Sequence, residues 1–207
     1  MVKIRNKREL AFFIKADRMM NTGRFQPSLS DRIIDKISPA YIMHYIVAMR
    51  KYSYYSHQLN QLSKLYAGYY KIRLKKLGVK LNFSIGPDTL GYGVRIPHFG
   101  TIVVGDSCSI GNYAVLHTSI CITSNGKIIG DGLYVSTGAK LTAVKTLGNN
   151  VTIAANSVVT KSIEESNVLL VGMPATIKKT KEAWYENDEE YKKRVEQIEE
   201  LKRAMNL

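Results

Sequence analysis

The chain has 207 residues, 45% of them hydrophobic, with 30 Lys and Arg against 17 Asp and Glu, a formal net charge of +13. No apolar run is long enough to span a bilayer, and the basic start from Met1 to Arg5 is followed by Glu9 and Lys15 with no small-residue cleavage site, so neither a transmembrane helix nor a secretory signal is expected. Cys108 and Cys121 are the only cysteines; both read as small buried hydrophobes suited to a reducing cytoplasm.

Charge divides the chain into three parts. Residues 1–80 hold 17 Lys and Arg against 4 Asp and Glu, residues 81–180 hold 7 against 5, and residues 181–207 hold 6 against 8. The first part reads as helical. Leu10, Phe13 and the run from Ala16 to Met20 follow a helical spacing, Ser30 can cap the next helix, and Ser38-Pro39 offers an N-cap followed by Pro at the first helical position. A long tyrosine-rich stretch from Ala40 to Leu77 follows, with Gly68 its only interior breaker and Gly78 its end. Such a basic segment can pack its tyrosines as a cap while its lysines face water, or it can rest on the inner face of an anionic membrane or on an anionic glycan. No nucleic-acid-binding motif accompanies the charge.

From Val104 to Thr160 an aliphatic residue recurs at nearly every sixth position: Val104, Ile110, Leu116 and Ile122, then, after a slip of one residue, Ile129, Val135, Leu141, Leu147, Ile153 and Val159. Gly or another small residue often follows, as at Gly105, Gly111, Gly130 and Gly148, and Asp or Asn after that. A helix repeats at 3.6 and an exposed strand at two, so a sustained six describes a solenoid of short flat strands, each with one inward side chain and a turn. Three hexads close a triangular coil, and Ile85 to Ile163 supplies roughly four coils, enough to bury a continuous core. Beyond it, Trp184, Tyr191, Val195, Ile198, Leu201 and Met205 form one helical stripe, expected to dock on the solenoid of its own or a neighbouring subunit.

Histidines mark where chemistry can sit, since a coil turn needs no imidazole for packing. His98 and His117 lie nineteen residues apart, about one coil plus one position, and adjacent coils stack roughly 4.8 Å apart. The two rings can therefore share a groove. A histidine, with an ordinary pKa of about 6.5, can act as a general base at neutral pH. Two histidines without a nearby third make a poor zinc site, so no metal is expected.

The hexads, the stretch from Val94 to Gly105 with His98-Phe99-Gly100 inside it, and the closing Val171-Gly172-Met173-Pro174-Ala175 resemble the hexapeptide-repeat acyltransferases, within them the serine acetyltransferase branch and its polysaccharide-modifying relatives. The resemblance covers about residues 83 to 180. It implies a left-handed parallel β-helix, mainly β, flanked by an α-helical N-terminal segment and a C-terminal helix. It also implies acetyl-CoA as co-substrate, a homotrimer with sites between subunits, and His98 as general base. His117, in Leu116-His117-Thr118-Ser119, resembles a histidine of the polysaccharide-modifying relatives and can bind acceptor, orient the base or donate to the oxyanion. Coenzyme A in this family runs between two solenoids along small residues, which match Thr123, Ser124, Thr137, Gly138, Ala154 and Ala155 here, with Lys161, Lys178 and Lys179 placed for its phosphates. Asp88, Tyr92 and Arg95 lie near His98 in sequence and are candidates for the acceptor groove, or equally turn and surface residues.

The departures from the resemblance bear on the acceptor. Pro97 stands where serine acetyltransferases carry an Asp before the catalytic histidine, Ser84 or a neighbour where an earlier Asp contacts serine, and Ser124-Asn125-Gly126-Lys127 where an Arg-His pair is expected. The charged groups that hold an amino acid's ammonium and carboxylate are thus missing, which points to a sugar hydroxyl of a capsular or surface polysaccharide or its precursor. L-Serine acetylation for cysteine synthesis stays open as an alternative, as does a non-catalytic protein that binds glycan or membrane through its basic helices.

Overall fold

The computed structural model describes residues 3–207. Helix α1 (Lys7–Thr22) is capped by Asn6, whose side chain accepts from the Glu9 amide, and ends at Gly23 in the left-handed conformation. Helix α2 (Leu29–Ile37) starts at Ser28, not at Ser30. Ser28 wins because the residue three positions on is Asp31, which closes a reciprocal capping box that Ser30, followed by Ile33, cannot make. Helix α3 (Tyr41–Ser56) follows Ala40 with no side-chain cap, so Ser38-Pro39 ends α2 and does not open α3; the Asp35 carboxylate accepts the Ala40 amide at 2.7 Å.

The stretch expected to run unbroken from Ala40 is two helices. Asn60 accepts the Ser63 amide and starts α4 (Gln61–Leu81) after a break at residues 57–60. Gly68 and Gly78 both lie inside α4. Gly78 permits a close approach: a Cβ there would sit 2.7 Å from the Phe83 carbonyl oxygen, so its role is contact with the first strand, and Asn82 in the left-handed conformation terminates the helix.

The chain then winds into five coils, one more than the hexads alone suggest. The first holds β1 (Phe83–Ile85) and single bridging residues at Leu90 and Arg95. The second holds β2 (Ile102–Val104), β3 (Ser109–Ile110) and β4 (Val115–Leu116), the third β5 (Ile120–Ile122), β6 (Ile128–Ile129) and β7 (Tyr134–Val135), and the fourth β8 (Lys140–Leu141), β9 (Thr146–Leu147) and β10 (Thr152–Ile153). The fifth has β11 (Val158–Val159), a bridge at Ile163 and β12 (Val168–Gly172), against which β13 (Ala175–Thr180) folds back antiparallel. Corresponding strands stack in parallel register into three sheets, the first β1-β2-β5-β8-β11, the second β3-β6-β9, the third β4-β7-β10-β12-β13.

The hexad residues point inward as the period requires. Val104, Ile122, Leu141 and Val159 stack on the first sheet, Ile110, Ile129 and Leu147 on the second, and Leu116, Val135 and Ile153 on the third, and none of the ten is more than 4% exposed. The slip after Ile122 is the longer corner at residues 123–127. The Gly-Asx pairs form a ladder along the edge between the second and third sheets: Asp131 accepts the Asn112 amide at 2.7 Å and Asn149 accepts the Asp131 amide at 2.9 Å. Gly111 leaves room for that oxygen, which a Cβ would meet at 2.2 Å.

Helix α3 plugs the open end of the first coil with Tyr45, Ile46 and Met49. The C-terminal helix α5 (Glu189–Ala204) packs on its own chain: Ile198, Tyr191, Val195 and Leu201 meet Tyr92 and Tyr113 of the coils and Phe12, Ala16 and Met20 of α1. A buried ion pair locks these parts together. Arg50 of α3 donates to both oxygens of Asp17 of α1, at 2.8 and 3.2 Å, and to the carbonyls of Leu90 and Gly91, while Asp17 also accepts the Val94 amide at 3.0 Å. Cys108, buried, and Cys121, half-buried, are free thiols.

Candidate functional site

Along the edge between the third and first sheets, each coil turns a corner, and this edge gathers the candidate residues. His98 stands on the first such corner and His117 on the second, with ring centroids 6.3 Å apart. The first corner is longer: eight residues separate Ile96 from Val104, where six separate Leu116 from Ile122. The extra length pushes His98 and Phe99 out into solvent, Phe99 75% exposed. Asn21, at the end of α1, holds the approach to this corner, donating to the Val94 carbonyl at 2.7 Å and accepting the Ile96 amide at 3.1 Å.

His98 opens onto a cleft of about 540 Å3 between the corner, the end of α1 and the start of α3, lined among others by Asn21, Thr22, Tyr41, Met43, Arg95 and Phe99. Its lining holds one cation, Arg95, and no carboxylate. That volume is in the range of small-molecule sites. Arg95 lies 4.4 Å from the centre of the Tyr191 ring of α5, which fixes its guanidinium beside the cleft.

His117 is half-buried and shares a 2.8 Å hydrogen bond between Nε2 and the Tyr134 hydroxyl. Tyr134 is held in turn by Trp184 of the tail, whose ring lies 6.2 Å away and whose indole donates to the Tyr113 carbonyl at 2.9 Å. Burial lowers the His117 pKa below the usual histidine value, and the charges of Arg95 and His98 push it the same way. The unfolded chain thus binds this proton more tightly than the folded one, so His117 costs stability as pH falls through the unfolded value of about 6.5 and costs nothing well above it. His117→Gln is expected to flatten that acid-side slope, read as the denaturation free energy between neutral and mildly acidic pH; a slope identical to the parent's would place the lowered pKa in error.

The next two corners up the same edge carry Thr137 and Gly138, then Ala154 and Ala155. Gly138, at φ +79, donates its amide to the Thr118 carbonyl at 3.1 Å, and Thr137 and Ala155 are exposed. Small side chains thus line this edge beyond the histidines. Lys140, beside it, gives its ammonium to the carbonyls of Ser119 and Gly138.

The other candidates lie elsewhere. Thr123 and Ser124 occupy the edge between the first and second sheets, where Thr123 donates to the Thr142 carbonyl at 2.8 Å and Ser124 shares a 2.8 Å hydrogen bond with Ser107. Lys161 is exposed on that edge in the last coil, and Lys178 is exposed on β13. Asp88 and Tyr92 lie away from the His98 cleft of their own chain. Asp88 sits on the edge between the first and second sheets and pairs with His57 at 2.8 Å and with Ser53 of α3. Tyr92 is buried at the edge between the second and third sheets, where it donates to Glu199 of α5 at 2.8 Å and accepts from Lys202. The reason is geometric: a coil turns a corner every six residues, so a residue six or ten positions before His98 faces another side. Of the three, only Arg95 reaches the His98 cleft.

Tyr134, Phe99 and Asn21 were not among the candidates from sequence. Tyr134 had a readable signal, because outward positions of the third sheet recur once per coil, as Arg95, Val115, Tyr134 and Thr152, and so bring Tyr134 beside the residue after Leu116. Asn21 had none, since its contact spans 73 residues. Among the described residues, no group of three His, Cys, Asp or Glu side chains is placed to hold a metal ion.

No family profile matches the chain. It is 31% identical to the serine acetyltransferase of Staphylococcus aureus strain Mu50 over 97 residues, 44% of this chain and 45% of that protein, so the chain spans about half the length of the curated relatives it matches. In structure it is similar to the serine acetyltransferase of Brucella abortus strain S19, with TM-score 0.59 and 22% identity over 84% of this chain and 69% of that one. It is also similar to a serine acetyltransferase solved in complex with CoA, with TM-score 0.55 and 20% identity over 81% and 67%. These likenesses establish the fold, and with the sequence match over 97 residues they place this chain as a hexapeptide-repeat protein whose β-helix is of the serine acetyltransferase-like kind.

Proposed function

We propose that this chain is an acetyl-CoA-dependent O-acetyltransferase whose acceptor is a hydroxyl of a glycan, such as a capsular or surface polysaccharide sugar or its precursor. The observation that carries the reading is the exposed His98 imidazole at the mouth of an open cleft, one coil from a second imidazole held by Tyr134. In the reaction, a nitrogen of His98 takes the proton of the acceptor hydroxyl as its oxygen attacks the thioester carbonyl. The tetrahedral oxyanion collapses, the carbon–sulfur bond breaks, and the CoA thiolate recovers the proton from His98, leaving an acetyl ester and CoA. His117, kept neutral, offers a second polar group beside the reacting oxygen. The relative solved with CoA and the small-residue edge from Thr137 to Ala155 support coenzyme binding there. Thr123, Ser124 and Lys161 lie on a different edge of the same prism, so they join the histidine groove only across copies, which fits a homotrimer with sites between subunits.

A glycan acceptor is favoured by the cleft's lining. An amino acid needs a carboxylate for its ammonium, and this cleft has none, whereas Phe99 and Tyr41 offer apolar faces to a sugar ring. L-Serine is the second reading, favoured by the serine acetyltransferases among the relatives. Incubation with acetyl-CoA and either L-serine or a panel of neutral and acidic oligosaccharides, followed by mass spectrometry of the acceptor, separates the two. Acetyl ester on a saccharide alone is expected; ester on serine alone would move the chain to the second reading.

A further inference from the structure

Helix α4 has two apolar faces, and only one is used. Leu74, Leu77, Gly78 and Leu81 face the solenoid core. On the opposite side Leu62, Leu65, Tyr69 and Ile72 repeat at alternating spacings of three and four, Val79 follows seven residues on, and all five are 53–74% exposed. Six cations, Lys64, Lys71, Arg73, Lys75, Lys76 and Lys80, lie along this helix, which contains no Asp or Glu. At 3.6 residues per turn, Lys64, Lys71 and Lys75 border the apolar stripe on one side and Arg73 and Lys80 on the other, while Lys76 falls within it. Helix α2 repeats the arrangement: Leu29, Ile33 and Ile37 are exposed beside Arg32 and Lys36, and none of its residues is buried. Its carboxylates, though partly exposed, are each engaged locally, Asp31 with Ser28 and Arg24, Asp35 with Ala40 and His44. Both faces flank the start of α3, where His44 borders the cleft beside each helix.

We propose that the exposed faces of α4 and α2 form a docking surface for an anionic lipid bilayer, with the apolar stripe in the headgroup boundary and the flanking cations on lipid phosphates. Charge complementarity selects this occupant. A second copy laid along the stripe would set six cations against six and bury Lys76 in the seam, whereas at a bilayer Lys76 extends its ammonium to the headgroups and Tyr69 sits with its ring in the boundary and its hydroxyl in water. Juxtamembrane cations add attraction that falls with salt. Among the described residues no helix is long and apolar enough to cross a membrane, so the contact is peripheral.

The test is flotation of the full chain with vesicles of phosphatidylcholine alone or mixed with phosphatidylglycerol, at low and high salt. Wild-type protein is expected to float with the mixed vesicles at low salt and not with phosphatidylcholine alone. Leu65→Asp combined with Ile72→Asp should cut the bound fraction about tenfold or more, with helicity and solution mass unchanged. Lys71→Gln combined with Lys75→Gln, which leaves the apolar stripe intact, should weaken binding and its salt dependence. Wild-type protein left unbound by the mixed vesicles, equal binding to both vesicle types, or a double aspartate variant that binds like the parent would overturn the proposal. So would a fall in solution mass in that variant, which would make the stripe a contact between copies.

Discussion

His98→Ala is expected to lower kcat for acetyl transfer by about 10²–10⁴-fold with the fold and assembly unchanged. The imidazole is exposed, belongs to no core cluster, and has no side-chain hydrogen bond among the described residues, so its removal leaves no cavity and no unpartnered buried group. What it removes is the proposed proton acceptor at the cleft mouth. The effect should fall on kcat with little change in KM for acetyl-CoA, because the coenzyme site we propose runs along Thr137, Gly138 and Ala154 above it. Thermal unfolding and light scattering on the same preparation check that the loss is chemical. A drop of less than about tenfold would assign the base elsewhere, with His117 the first alternative.

Arg50→Ala should cost about 3–5 kcal/mol of folding stability, read by chemical denaturation. The substitution leaves the Asp17 carboxylate buried without its cation, and it also strips two donors from the Leu90 and Gly91 carbonyls at the first coil. Arg50→Lys should recover little, since one ammonium cannot reach both carboxylate oxygens and two carbonyls in the fork geometry that Arg supplies. Asp17→Ala combined with Arg50→Ala is expected to lose less than the sum of the single changes, because the uncompensated charge is then gone. A loss of under about 1 kcal/mol for Arg50→Ala would mean that the helices hold to the coils without this clamp. The clamp also bears on the site: Asp17 accepts the Val94 amide, four residues before His98, and Asn21 one turn along α1 holds Val94 and Ile96.

The coils were legible because their physics is local and repeated. One inward aliphatic per six residues names its own buried position, and all ten such residues are in the core. The count of roughly four stopped at Ile163 and so left out β12, which completes the fifth coil; in the first coil Ile85, Leu90 and Ile96 are spaced five and six apart and the corner after Ile96 is lengthened, and that irregularity is where His98 stands. The helical boundaries were misplaced wherever a cap depended on a second residue, as at Ser28 with Asp31, or where a glycine served a tertiary contact, as Gly78 against Phe83. For the candidate site, the pairing of His98 with His117 followed from their spacing, since nineteen residues is about one coil plus one position. Asp88 and Tyr92 stand apart from His98 within the chain because nearness in sequence is not nearness on a prism. Asn21 and the α3 residues of the cleft come from contacts across more than fifty residues, which no local pattern encodes.

Free-thiol release from acetyl-CoA, followed with wild-type chain and His98→Ala in the presence of the saccharide panel and L-serine, tests the central assignment most directly. Release that requires a hydroxyl acceptor and collapses in the variant is the predicted result. Release that is as fast in His98→Ala as in the parent would contradict it.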